Sequence, residues 1–339
     1  MGAVTKILTA AELNEAVALL NRGEVVAFPT ETVYGLGANA LQSEAVARIF
    51  AIKGRPGDNP LIVHVADRNR LAGLVRDIPA AAGLLMEKFW PGPLTLVLPK
   101  TDRIHSIVSA GLPTVGVRVP AHPLALELLN KLTFPLAAPS ANLSGRPSPT
   151  RPEHVLSDLA GRIPAILDGG RTGRGLESTV LDCTVWPFRL LRPGGVTPEE
   201  LRQWVPVQAD AETGREGAAP LSPGMKYEHY APDAQVFLVV GAGAGAKINS
   251  LSEDYLQKGC KVGVMTWDER VSLFPRLTAL PMGPTGDVAY LASQLYHLLR
   301  EADRLKIDVL YIEGVSEENL GFTIMNRLRK AAGNLVIET

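Results

Sequence analysis

Lys53 and Arg55 stand two residues apart in the run Lys53-Gly-Arg-Pro-Gly-Asp-Asn-Pro60, directly after a helical pattern. Lysine supplies a mobile point charge and arginine a planar fork, so a loop of this kind suits a triphosphate. Cations at a helix end also neutralise its last carbonyls, and the spacing leaves both readings open. The loop PTETVYGLG (29–37) packs two hydroxyls, a carboxylate and a phenol behind a strand, as a site wall or a hydrogen-bonded turn would. Arg118 interrupts a strand of valines, and a charge there needs either a protein carboxylate or an anionic ligand. His64 shares a strand face with Ile62 and fits a core position as well as a ligand position. Ser140 and Asn142 lie at period two beyond a strand, and Glu177-Ser178-Thr179 and Arg192-Pro-Gly194 add hydroxyls and a third cation. Ligands bind at strand ends in α/β sheets, which is where these groups fall.

The elements that must hold these groups are legible from pattern. Thr9 and Glu12 form a capping box ahead of a helix carrying Leu13, Ala16, Val17 and Leu20 on one face. A strand over 24–28 stops at Pro29 and opens into a loop from Thr30 to Gly37. Further strands are expected at 61–65, 95–98, 115–119, 165–167, 179–182 and 189–191, with helices near 43–52, 79–88, 123–131 and 152–160. The alternation predicts an α/β layer, with an antiparallel pair near 179–191. Residues 1–206 read as a first domain, 207–232 as a linker of small and polar residues, and 233–339 as a smaller α/β domain. The second domain should hold strands at 236–240, 262–267 and 309–313 and helices near 247–258, 287–305 and 321–332.

Together, Lys53-x-Arg55, Ser140-x-Asn142, PTETVYGLG, Ser178-Thr-Val180, Arg192-Pro-Gly194 and PGMKYEHYAP (223–232) resemble one family, the two-domain form of threonylcarbamoyl-AMP synthase. The likeness spans nearly the whole chain and departs at Glu228, where a basic residue usually precedes the histidine. It implies a YrdC-like twisted mixed sheet with flanking helices, followed by a smaller Rossmann-like α/β domain. It further implies a nucleotidyltransferase that joins L-threonine, bicarbonate and ATP, with Mg²⁺, into threonylcarbamoyl-adenylate and pyrophosphate. The product would pass to a tRNA-modifying transferase complex that acts on the adenosine beside the anticodon, tRNA contact by this chain being weak or indirect. By position, Thr32, His64, Arg118, Ala138 and Ser178 would surround threonine, with Arg118 on its carboxylate. Arg55, Asn59, Thr114, Ser140, Ser148, Arg192 and Tyr230 would hold ATP, with Lys53 and Asn142 completing the phosphate and metal environment. Lys53, Arg55 and Arg118 would carry the catalysis by positioning and charge, without a protein nucleophile. Met225, Tyr227, His229 and Tyr230 would turn the linker into a lid over the nucleotide.

Composition narrows the alternatives. The 34 Lys and Arg nearly balance 35 Asp and Glu, which argues against a broad RNA-binding face, as do aromatics at only 6%. Cys183 and Cys260 stand far apart, predicting neither a disulfide framework nor a structural zinc site and pointing to the cytoplasm. Glu12 and Glu15 interrupt any signal-peptide core, and no apolar run reaches membrane-spanning length. A competing reading comes from Gly241-Ala-Gly-Ala-Gly-Ala246 with Asp268 after the next strand, a formal dinucleotide fingerprint. A flexible glycine turn explains the same residues.

Overall fold

The computed structural model describes residues 4–54, 57–209 and 230–339. Arg55 and most of the expected lid, 210–229, lie outside the described residues. The described chain forms two units, one on 4–144 and 148–209, the other on 145–147 and 230–339.

The first unit runs β1 (Lys6–Leu8), α1 (Leu13–Asn21), β2 (Val26–Phe28), β3 (Gly35–Asn39), α2 (Ser43–Lys53), β4 (Ile62–His64), α3 (Ala80–Phe89), β5 (Leu94–Pro99) and α4 (Ser106–Ser109). It continues through β6 (Thr114–Arg118), α5 (Pro123–Lys131), β7 (Leu136–Ala138), α6 (Pro152–Leu159), β8 (Ala165–Leu167), β9 (Thr179–Asp182), β10 (Phe188–Arg192), α7 (Pro198–Arg202) and β11 (Val207–Ala209). The strands form one mixed sheet in the order β1-β8-β2-β3-β7-β4-β6-β5-β9-β10-β11.

The capping box that the sequence places at Thr9 and Glu12 holds a 3₁₀ turn, Ala10–Glu12, that leads into α1. The Glu12 carboxylate accepts from the Thr9 N–H and the Thr9 hydroxyl, each at 2.9 Å. Its Leu13, Ala16, Leu19 and Leu20 are buried, as are Leu124, Ala125, Leu128 and Leu129 of α5, which opens on a proline that needs no donor. These two faces share a core cluster with Phe28, Leu136, Ala138 and Leu167 of the sheet. Each buried leucine contributes about 1.5–3 kcal/mol relative to exposure, which fixes both helices on this part of the sheet.

Register shows where that cover ends. Ile62 of β4 pairs with Ala138 and with Gly116, and His64 pairs with Leu136 and with Arg118. Directly paired residues share a face, so the surface under α1 and α5 continues onto β4, β6, β5 and β9. Here Ile62, Val97, Val180 and Leu191 make a small cluster of their own, and Gly116, mid-sheet, remains partly exposed. This open middle of the face is the candidate floor of a ligand cleft.

Two expectations change. Gly35–Gly37, read as the end of a loop, opens a strand, Gly35–Asn39, held between β2 and β7, because Val26 and Phe28 pair with Gly37 and Gly35 on one side and Ala137 pairs with Ala38 on the other. Two flanking ladders outweigh the poor strand propensity of two glycines. Val207–Ala209, read as the start of the linker, is an edge strand parallel to β10, where Val207 pairs with Phe188. An edge strand needs only one partner, so it carries little pattern of its own.

The second unit comprises β12 (Gln235–Val240), α8 (Ala244–Gln257), β13 (Val262–Thr266), β14 (Thr278–Pro281), α9 (Val288–Arg304), β15 (Val309–Glu313), α10 (Leu320–Ala331) and β16 (Val336–Glu338). Its strands are all parallel, in the order β14-β13-β15-β12-β16. Asp287 caps α9 by accepting from the Tyr290 N–H at 2.9 Å, and Leu291, Leu295, Leu298 and Ala302 are buried along one face. Thr339 donates its N–H to Val240 at 2.9 Å and backs against Gly241, where any Cβ would collide with it. The chain itself thus occupies the turn from which a dinucleotide pyrophosphate would have to be bound. Gly241 serves close backbone packing instead.

Candidate active site

Arg118 ends β6 with its side chain buried, 3% exposed. Its Nε donates to the Gly92 carbonyl at 3.1 Å and Nη1 to the Thr32 hydroxyl at 3.0 Å. Nη2 lies 2.6 Å from Oε1 of Glu31 in a close ion pair, and among the described residues neither Nη2 nor either buried Glu31 oxygen has a hydrogen bond. By sequence, Arg118 needs either a protein carboxylate or an anionic ligand. The structure supplies the carboxylate, 87 positions away in sequence and visible there only as one member of the PTETVYGLG loop.

That loop is held as a site wall. The Thr30 hydroxyl donates to the Val33 carbonyl at 2.6 Å and shares a 2.8 Å hydrogen bond with the Thr32 hydroxyl. The Tyr34 phenol donates to the Gly170 carbonyl at 2.7 Å and accepts from the Gly169 N–H at 3.1 Å, and burial pushes its pKa up, which keeps it a donor. His64 sits beside Arg118, edge-on to Phe28 at 5.8 Å, with Nδ1 3.2 Å from the Ile62 carbonyl. Burial first, and the Arg118 charge second, hold its pKa down at about 3. Neutral His64 is therefore part of the wall at any physiological pH.

A depressed histidine pKa has a definite consequence for stability. The unfolded chain protonates His64 below its ordinary value of 6.5, whereas the folded chain resists until about pH 3. Stability is full above pH 6.5 and falls as pH drops towards 3, by up to about 1.4 kcal/mol per pH unit for one proton. We expect thermal melts of His64→Gln to lose less stability than wild type across this window. Parallel curves would place the titration elsewhere.

Next to Arg118, the Ser178 and Thr95 hydroxyls share a 2.8 Å hydrogen bond. Arg192 grips the same residue, donating from Nη2 to the Ser178 carbonyl at 2.8 Å and to its hydroxyl at 3.2 Å. Gly194 follows because a Cβ there would run into the backbone of Ser178 and Thr179. The Arg-Pro-Gly run is thus a clamp on the 177–179 segment. Ser148 joins it, donating to Glu177 Oε1 at 2.7 Å.

The other end of the cleft is built around Lys53. It is the last residue of α2, before left-handed Gly54, and is 3% exposed. Its ammonium donates to the carbonyls of Ser140 and Asn142 at 2.6 and 2.5 Å, so it organises the Ser-x-Asn loop from beneath. Thr114 opens β6 and Arg118 closes it, about 13 Å apart at roughly 3.3 Å per residue. Ala138 lies between, paired with Ile62. Asn59, shortly ahead of β4, is fully buried, yet among the described residues neither its amide oxygen nor its amide nitrogen has a hydrogen-bond partner. A buried amide left unsatisfied costs about 1–3 kcal/mol, so Asn59 is suited to meet a polar ligand. Tyr230 belongs to the second unit, where it stacks on Tyr296 at 5.1 Å and lies 5.2 Å from the Arg327 guanidinium. The cleft therefore brings together Thr32, His64, Arg118 and Ser178 at one end, and Lys53, Ser140 and Asn142 at the other.

The family model described as "Telomere recombination" matches residues 18–194, and that of the threonylcarbamoyl-AMP synthase C-terminal domain matches 196–333. The threonylcarbamoyl-AMP synthase of Bacillus subtilis is 48% identical over 328 residues, covering 96% of this chain and 94% of that protein. This chain belongs to the threonylcarbamoyl-AMP synthase family. The Pyrococcus abyssi member is 47% identical over 330 residues, covering 95% of this chain and 94% of its own. A crystal structure of P. abyssi Sua5 complexed with L-threonine superposes with a TM-score of 0.92 at 44% identity, covering 99% of this chain and 100% of that one. Both units of the chain thus have counterparts in the threonylcarbamoyl-AMP synthase family, and the mixed and parallel sheets are that family's architecture. No helix among the described residues is long and apolar enough to cross a membrane.

Proposed function

We propose that this chain makes threonylcarbamoyl-AMP and pyrophosphate from L-threonine, bicarbonate and ATP, for threonylcarbamoyl modification of tRNA adenosine beside the anticodon. What carries the reading is the Arg118–Thr32–His64 corner, in a chain 44% identical to a solved relative complexed with L-threonine. Arg118 takes the threonine carboxylate, and Thr32, Ser178 and the neutral His64 line the rest of the amino acid. Lys53, Arg55, Asn59, Thr114, Ser140, Asn142, Ser148 and Arg192 serve the nucleotide, and Asn59 brings two unsatisfied polar atoms to it.

The threonine α-ammonium gives up a proton, and the free amine then attacks the carbon of bicarbonate, which leaves the carbamate and releases water. A carbamate oxygen then attacks the α-phosphorus as the bond to the β-phosphate oxygen breaks, and pyrophosphate leaves. This chemistry needs alignment and charge more than a protein nucleophile. Burial pushes the Cys183 thiol up, away from thiolate chemistry. Among the described residues no three His, Cys, Asp or Glu side chains gather to hold a metal. The hydroxyl of Ser140 and the amide oxygen of Asn142 are the hard oxygen donors that suit Mg²⁺ carried in on phosphates. When bound, Mg²⁺ would neutralise charge developing on the departing pyrophosphate. The reaction belongs in the cytoplasm, where two unbridged cysteines are at home, and its anhydride product calls for a downstream transferase that passes the threonylcarbamoyl group to tRNA.

The test is isotopic. With ¹³C-bicarbonate, ATP and L-threonine, mass spectrometry should find an adenylate carrying the label in its carbamoyl carbon. Only ADP or AMP, with no labelled adduct, would remove the proposal.

A further inference from the structure

Glu31 is the charged group of the cleft that this assignment leaves without a task. Its two carboxylate oxygens are buried and make no hydrogen bond among the described residues, and the side chain is 11% exposed. Among the described residues its ion-pair partner is Arg118, whose Nη2 is likewise without a hydrogen bond. His122 lies within reach of the Glu31 charge, but burial, the largest influence on it, lowers its pKa and favours the neutral ring. The corner is therefore a neutral pair, one buried cation against one buried anion.

Charge balance decides what such a pair can accept. A ligand that brought only a carboxylate to Arg118 would leave Glu31 as a buried anion with its compensation withdrawn, which is strongly unfavourable. A zwitterion brings its own cation. We infer that Glu31 receives the α-ammonium of the amino acid while Arg118 takes its carboxylate, making the Glu31–Arg118 pair a receptor for both charges of an α-amino acid. The inference rests on the threonine reading above and adds to it the residue that demands an amino group. Both partners are preorganised: the backbone carbonyl of Glu31 accepts from Arg174 N–H at 2.7 Å, and Arg118 is fixed by Gly92 and Thr32. The unspent capacity of Nη2, Oε1 and Oε2 is what the incoming groups would use.

The test compares L-threonine with 3-hydroxybutyrate, which keeps the carboxylate and hydroxyl but lacks the amine. Both are titrated by calorimetry or competition into the full chain, with ATP binding as the control for folding. Wild type should prefer threonine by roughly 100-fold or more. Glu31→Gln should shrink that ratio to about 10-fold or less by weakening threonine, with 3-hydroxybutyrate bound as well as before or better. Equal weakening of both ligands would mean that Glu31 only tethers Arg118, and would overturn the inference. If Glu31→Gln no longer binds ATP, Glu31→Asp carries the test: drawing the carboxylate back one methylene should cut the ratio about threefold or more, and an unchanged ratio overturns it. Wild type that binds no threonine at all would instead sink the underlying functional reading.

Discussion

Arg118→Ala is expected to cut threonine-dependent turnover by roughly 100-fold to 1,000-fold or more, while ATP binding stays within a few-fold of wild type. Truncating one member of a buried charge pair costs about 3–5 kcal/mol, and each 1.4 kcal/mol is tenfold in affinity. The residue is 3% exposed and grips Gly92 and Thr32, so its loss opens the amino acid corner and leaves Glu31 buried without its cation. That second effect lowers stability, and it can be separated. The double variant Arg118→Ala/Glu31→Gln should regain much of the lost melting temperature and none of the lost threonine use. Steady-state kinetics with each substrate varied in turn, beside thermal melts, check both statements. Equal losses for threonine and ATP would make Arg118 a purely structural residue.

Lys53→Ala should do the converse, raising the KM for ATP and lowering turnover about 100-fold or more while threonine binding persists. A hydrogen bond from a charged donor contributes about 1.5–3 kcal/mol, and Lys53 makes two to the Ser140 and Asn142 carbonyls. Without them the Ser-x-Asn loop loses its internal support. Lys53→Arg should not rescue, because a planar fork cannot replace a compact ammonium buried beneath two converging carbonyls. Wild-type ATP kinetics in Lys53→Ala would take this loop out of the nucleotide site.

How far the sequence carried this picture depended on whether a residue's role is local. The 165–167, 179–182 and 309–313 strands appear at the expected bounds because their apolar runs are short and sharply ended. Ser140, Asn142 and Lys53 were legible as chemistry, yet the role of Lys53 as a buried support for the other two was not, since nothing local says which carbonyls an ammonium will meet. Gly35–Gly37 reads as loop and opens a strand because that strand's two neighbours in the sheet come from 26–28 and 136–137. Val207–Ala209 escaped for the opposite reason, an edge position that asks little of its side chains. Glu31 is visible as a carboxylate in a polar loop, but its partner Arg118 stands 87 positions away. Arg192 shows the same limit: a cation expected to face a ligand is also committed to the Ser178 carbonyl and hydroxyl.

Whether one site couples three substrates is tested most directly by pyrophosphate release measured with each substrate omitted in turn. Rapid release should require L-threonine, bicarbonate and ATP together, fall to background when any one is withheld, and match the adenylate formed mole for mole. Release that proceeds at the same rate without threonine would contradict the account and leave an ATP-cleaving enzyme whose Arg118 corner serves some other ligand.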